Sequence, residues 1–417
     1  MATSAPSPPI DTAIIERLRA DTVGCRSRIY LDNAGTALMP RPVLDAVQQH
    51  LELEAELGGH EAATARRDEI AASRRDLASL IGARAHNVAF TDHATTAWQR
   101  VFASFAWQPG QVVITSRHDD VSNQLALLSL AKRFGVEILF APDTKSGHID
   151  VGTLEVMIEQ KRPALVAIGH VPSHRGIVQP VVEIGTLCRR FEVPYLVDAR
   201  QSLGQIPLDV SRLGCDFLTA SGHAFLRGPR GTGLLYVADR VLATDRAPLL
   251  QDVGGAIWTR YDTFEIEPSA RRFEHDDLPW ALILGLGAAA RYAQLHDVAA
   301  LEARLRSLAT RIREAFDDSN AIHVLDREPL DREPLDRDPR SAAIVTMTVH
   351  GFAAEDLRDA LRGARIHASV IRRSDAMVDF MGAEFTWALR VSPHAYNTEN
   401  EIDSFAAQLT ELTGESR

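Results

Sequence analysis

The chain has 417 residues, 45 basic against 56 acidic, and a formal charge of −11 with no long basic stretch; this excludes a surface that binds nucleic acid by releasing counterions. The length points to a large domain with a smaller companion. Three widely spaced cysteines, Cys25, Cys188 and Cys215, with no CxxC pair, argue against a disulfide framework or a thiolate zinc site and suit a reducing cytoplasm, and no stretch has the length and flanks of a membrane span or secretory leader.

Taken in order, a Pro/Ser-rich start gives way to a helical pattern over Thr12 to Arg19, then to Ile29-Tyr30 and the turn-rich loop LDNAGTALMP. Short β-branched runs follow at Val88 to Thr91, Gln111 to Thr115, Val136 to Phe140, Leu165 to Gly169, Tyr195 to Asp198, Phe217 to Ala220 and Gly233 to Val237, many of them separated by helical patterns. Such alternation predicts an α/β fold whose mostly parallel seven-stranded sheet is covered on both faces, with ligand groups on loops beyond the carboxyl ends of the strands. Polar residues gather at those places: Ala94 to Thr96 after VAFT, Asp198 at the end of YLVD, and Ser221 to His223 after DFLTA.

Residues 30–278 are expected to form the large domain, and 1–29 with 279–417 a smaller α+β domain. Beyond Pro279 a long helical region runs through Phe316 into LDREPLDREPLDRDP, where proline recurs too often for a helix; 325–339 therefore reads as a solvated surface insertion. The remainder alternates a strand (IVTMTVHGF), a helix over Ala354 to Leu361, a strand around Ile366 to Ile371 and a helix from Asn400.

Chemistry concentrates in two segments. In YLVDARQSLGQ, Asp198 either faces a ring cation or caps the next helix, and Gln201 can hydrogen-bond a ring hydroxyl. In TASGHAFLRGPRGTGLLYV, Ser221 and His223 sit in a strand-end turn suited to phosphate oxygens, and the glycines of RGPRGTG allow tight backbone passage. With LDNAGTALMP, TDHATTAW, RRFE and RVSPHAYNTENEID, these segments resemble the class V aminotransferase-like enzymes, which include cysteine desulfurases, isopenicillin N epimerase-like proteins and ergothioneine-type carbon-sulfur lyases.

The resemblance covers nearly the whole chain and implies a fold-type I enzyme that binds pyridoxal 5'-phosphate, acts on a small amino-acid substrate and forms a homodimer. Carried over by residue, it implies that Ala94 and Thr95 contact the phosphate together with Ser221 and His223, that Asp198 pairs with the ring nitrogen and that Gln201 meets the ring hydroxyl. Arg390 matches the arginine that grips the substrate carboxylate, a task suited to a planar guanidinium. In DDVSN, Asn123 fits the family pattern on the substrate side, while the ring-stacking position is taken by Asp120 or, in a shifted register, by His118. The loop after RRFE, which in the family offers Ser or Thr to the neighbouring subunit, reads HDDLPW.

Where the family carries its Schiff-base lysine, SGHK, this chain has Ala224 in SGHA. Two accounts follow: a deliberate substitution that traps a substrate complex, preferred because the surrounding motifs suit the cofactor, or a protein that binds ligand without turnover. The segment IRRSDAMVDFMGAEFTWALRVS contains no cysteine, which disfavours persulfide-forming desulfuration. The resemblance points instead to β-elimination from an S-substituted cysteine, with decarboxylation-coupled oxidative deamination, epimerisation and transamination as rivals at the same site.

Overall fold

The computed structural model describes residues 10–325 and 341–415. All seven expected strands form one sheet: β1 (Val88–Thr91), β2 (Val112–Thr115), β3 (Glu137–Phe140), β4 (Leu165–Gly169), β5 (Tyr195–Asp198), β6 (Phe217–Ser221) and β7 (Gly233–Val237), in the order β1-β7-β6-β5-β4-β2-β3. Pairings among β6, β5, β4, β2 and β3 are parallel, whereas β7 runs against both β1 and β6. The segment 222–232 between β6 and β7 is too short for a crossover helix, so the chain must return antiparallel. Apart from the edge strand β3, every residue of these strands is buried; their continuous apolar runs are the pattern of a sheet covered on both faces.

A second core surrounds a smaller antiparallel sheet formed by β8 (Ile322–Val324), β9 (Val345–Val349), β10 (Ser369–Arg372) and β11 (Trp387–Val391), in the order β8-β9-β11-β10. Helices Val298–Glu314 and Glu399–Thr413 contribute Leu305, Leu308, Ile312, Phe405 and Leu409 to this core.

Helix Trp280–Leu295 sends Ile283, Leu286 and Ala289 into the first core and Tyr292 into the second, while Leu31 and Ala34 join the second core. The strand expected around 366–371 is two pieces: Ile366–His367 pairs in parallel with Ile29–Tyr30, and β10 enters the small sheet. Of the expected insertion over 325–339, all but Leu325 lies outside the described residues. Among the described residues no helix is long and apolar enough to cross a membrane. The three cysteines are free and buried, and burial pushes the Cys188 and Cys215 thiols up to about 12.

Candidate active site

The polar residues expected beyond the strand ends converge on one cleft. At one end of it, Ser221 closes β6 and helix Ala94–Phe102 begins; the Ala94 N–H donates to Ser221 Oγ at 3.0 Å, and His93 caps the helix by accepting from the Thr96 N–H at 3.2 Å. Two glycines make this approach possible. A Cβ at Gly222 would lie 2.4 Å from Thr232 Oγ1 and 2.7 Å from Leu286 Cδ1, and one at Gly233 would lie 2.5 Å from the Ala220 carbonyl oxygen and 2.8 Å from His93 Cα.

His223 follows the turn with its Nδ1 buried and without a partner. Burial, followed by the Arg230 and Arg200 guanidinia, lowers its pKa to about 4. The helix N-terminus, the Ser221 and Thr95 hydroxyls and the nearby Arg200 and Arg230 give this end groups that suit an anion.

The other end is acidic. Asp198, at the end of β5 and 4% exposed, accepts from the Arg200 N–H through Oδ1 and from Asn123 Nδ2 through Oδ2, each at 2.9 Å. The same Asn123 Nδ2 donates to Asp119 Oδ1 at 2.9 Å, and Thr115 Oγ1 donates to Asp119 Oδ2 at 2.9 Å. Burial raises Asp198; burial, then the Asp198 charge, pushes Asp119 up to about 7. Asp120 behaves oppositely: burial would raise it, but the Arg200 guanidinium beside it holds it below the usual carboxylate range.

Three carboxylates therefore line one slot faced by a single guanidinium, an arrangement that favours one more cationic N–H. Gln201 fixes the slot's edge by donating from Nε2 to the Ala34 carbonyl at 3.0 Å, leaving Oε1 buried without a partner.

Arg200 is the residue that sequence reasoning missed. Its Nη1 lies 2.5 Å from Asp120 Oδ2, its Nη2 donates to Thr95 Oγ1 at 2.9 Å, and its side chain is 16% exposed. The guanidinium thus spans the cleft from the acidic end to the anion end, where a flat ring joining the two would lie. The available signal was a charged residue two positions after the strand-end acid, within DARQ.

Two of the expected residues carry contacts that the sequence did not show. Asn123, expected on the substrate side, has its amide N–H group occupied by Asp198 and Asp119, so it holds the acid in place. His118, one of two candidates for the stacking position, lies with Nε2 3.2 Å from Asp143 Oδ2 and Nδ1 3.1 Å from Asp379 Oδ1, and it lines the slot together with Asp120.

Arg390, on β11, is buried. Its Nη2 donates to Asp32 Oδ1 at 2.9 Å and Ser369 Oγ at 3.1 Å, its Nη1 donates to the Ser173 carbonyl at 2.8 Å, and its Nε has no partner. The Asp32 carboxylate thus occupies the fork expected to hold a ligand carboxylate. Gly35 permits that contact, since a Cβ there would lie 2.6 Å from Asp32 Oδ1 and 2.9 Å from Arg390 Nη2.

Ala224 is fully buried and packs with Phe225 in the second core.

Residues 29–405 match the family model "Aminotransferase class-V". A probable cysteine desulfurase of Pyrococcus abyssi is 27% identical over 407 residues, covering 96% of this chain and 98% of that one. Among solved structures, the apo cysteine desulfurase of Thermococcus onnurineus NA1 superposes with a TM-score of 0.85 at 25% identity, covering 99% of this chain and all of that one (100%). The cystine C-S lyase C-DES, in complex with its product cysteine persulfide, gives a TM-score of 0.81 at 22% identity over 94% of this chain and 99% of its own; at that identity the likeness is one of fold. With the model match covering nearly its full length, the chain belongs to the class-V aminotransferase family.

Proposed function

We propose that this cleft binds pyridoxal 5'-phosphate and a small amino acid, and that the scaffold is that of a carbon-sulfur lyase acting by β-elimination on an S-substituted cysteine. The carrying observation is the pairing, within one cleft, of an anion site at Ala94, Ser221 and His223 with a buried acid, Asp198, whose carboxylate neighbours leave the slot short of positive charge. The partnerless His223 Nδ1 and Gln201 Oε1 fit a phosphate oxygen and a ring hydroxyl respectively. The residues fit the group once the Arg200 side chain swings away from Asp120.

Pyridoxal phosphate, when bound, supplies an electron sink that labilises bonds at an amino acid's α-carbon. Around it the chain's own groups would act as follows. Asp198, kept in place by Asn123, holds a proton on the ring nitrogen; Thr95, Ser221 and His223 hold the phosphate; Arg390 exchanges Asp32 for the substrate carboxylate. Ala224 has neither an amine to anchor the cofactor nor a base to move the α-proton, so this chain is expected to bind its ligands and scarcely turn them over.

Elimination is favoured over persulfide transfer because the cysteines are buried, with Cys188 and Cys215 held as thiols, whereas a persulfide carrier needs an accessible thiolate. A second reading, a dedicated ligand-binding protein without catalysis, is favoured by the Arg200–Asp120 bridge. An Ala224→Lys variant supplied with pyridoxal 5'-phosphate and S-conjugates of cysteine should release pyruvate and thiol. Aldehyde with carbon dioxide would select the decarboxylating alternative, and inactivity together with failure to bind the cofactor would remove the enzyme reading.

The homodimer belongs to the same proposal. The hairpin Ala256–Arg260 and Thr263–Ile266 exposes Trp258 (75%), Tyr261 (95%) and Phe264 (53%), apolar area that a second copy would cover. Light scattering should then return twice the chain mass.

A further inference from the structure

At the rim of the cleft, where His118 also lines the acidic slot, two histidines from the large domain meet an aspartate from the small one. His118 follows β2, His174 follows β4, and Asp379 lies in the segment between β10 and β11. His118 Nδ1 is 3.1 Å from Asp379 Oδ1, His174 Nε2 is 2.9 Å from Asp379 Oδ2, and one ligand atom from each residue falls within 4.8 Å of the others. All three side chains are at most 4% exposed.

We propose that His118, His174 and Asp379 form a zinc site that clamps the small domain onto the large one beside the cleft. Zinc binds imidazole nitrogen and carboxylate oxygen at about 2.0–2.2 Å, which in a tetrahedron sets ligand atoms roughly 3.3–3.5 Å apart; the two histidine–aspartate spacings would open by a few tenths of an ångström, and the two histidine nitrogens, within 4.8 Å of each other, would settle at that separation around one carboxylate oxygen. The outer partner of such a site is also present. Asp143 Oδ2 lies 3.2 Å from His118 Nε2, where it orients the ring and fixes the tautomer that leaves Nδ1 for the metal.

The fourth coordination position would open onto a cavity of about 200 Å³ lined by Arg117, Thr144, Ser146 and Arg175, which leaves room for water or a small oxygen ligand. Arg175 Nη1 stands 3.6 Å from Asp379 Oδ1 and competes for its charge, although Arg175 Nη2 is also held by the Leu325 carbonyl at 2.8 Å. Two nitrogens and a carboxylate suit zinc better than magnesium or calcium, which prefer all-oxygen shells. The proposal is independent of the cofactor reading.

The test is titration of chelator-treated full-length chain with zinc, followed by calorimetry, and with cobalt(II), followed by visible absorbance. The expected result is one equivalent of zinc per chain and the intense bands of four-coordinate cobalt. Affinity should fall about 10- to 100-fold in Asp143→Asn, which keeps all three ligands, and at least as far in His174→Ala and Asp379→Asn, with circular dichroism confirming that each is folded. Absence of zinc uptake by the unaltered chain, or uptake unchanged in a folded Asp379→Asn variant, overturns the proposal. Should the ligand variants fail to fold, the unaltered chain's stoichiometry and cobalt spectrum, with the Asp143→Asn shift, decide it.

Discussion

Arg200 sets the behaviour of the cleft at the scale of single residues. It is the guanidinium that faces Asp120 and Asp198, and removing one partner of a buried pair costs about 3–5 kcal/mol because the remaining charge stays desolvated. An Arg200→Ala variant should therefore melt at lower temperature yet bind pyridoxal 5'-phosphate about tenfold more tightly, equivalent to roughly 1.4 kcal/mol, because the slot opens and its carboxylates gain a ring cation. Thermal melts and fluorescence titration would read these opposite signs. Asp198, Ser221 and His223 could be singled out in the sequence because the first two end strands and the third follows within two residues. Arg200 and the Asn123 amide were not, since their roles depend on which way a side chain turns within the cleft. The choice between His118 and Asp120 had the same cause: both line the slot, and spacing alone does not assign the stacking position.

Among the elements, the turn from β6 into the glycine-rich loop carries the anion site, and its tolerance is set by packing. Because a Cβ at Gly222 would press on Thr232 and Leu286, Gly222→Ala should cost about 1–3 kcal/mol through overpacking, measured as a shift in urea midpoint, and should weaken phosphate binding by displacing Ser221 from the Ala94 N–H. The seven strands could be found in the sequence because fully buried parallel strands are short, β-branched and bounded by turn residues. The helix Trp280–Leu295 packs into both cores. It is apolar nearly all round, and periodicity cannot say which of two cores such a helix joins.

The whole molecule's acid stability follows from its buried histidines. Burial lowers His170 to about 4 and, with Arg227 adding to it, His394 to about 3, against an unfolded value of about 6.5. Both are neutral in the fold and take up protons on unfolding, so their contribution to stability is full above about pH 6.5 and falls as pH drops from there toward 4, while Asp119, pushed up to about 7, works in the opposite direction over the same range. Between pH 7 and pH 5 the urea midpoint should fall less, relative to its pH 7 value, in His394→Gln than in the unaltered chain. The family was legible along nearly the entire chain, whereas the meeting of His118 and His174 with Asp379 was not, because it joins distant loops that no motif links. The central claim, that the cleft is a pyridoxal phosphate site lacking its anchor, is tested most directly by equilibrium dialysis with the cofactor and borohydride reduction, followed by peptide mass spectrometry. The account predicts that the Ala224 chain binds one equivalent that dialyses away unlabelled, while Ala224→Lys retains a reduced label on the peptide containing position 224. No binding by the Ala224 chain, or a variant left unlabelled at that position, would contradict it.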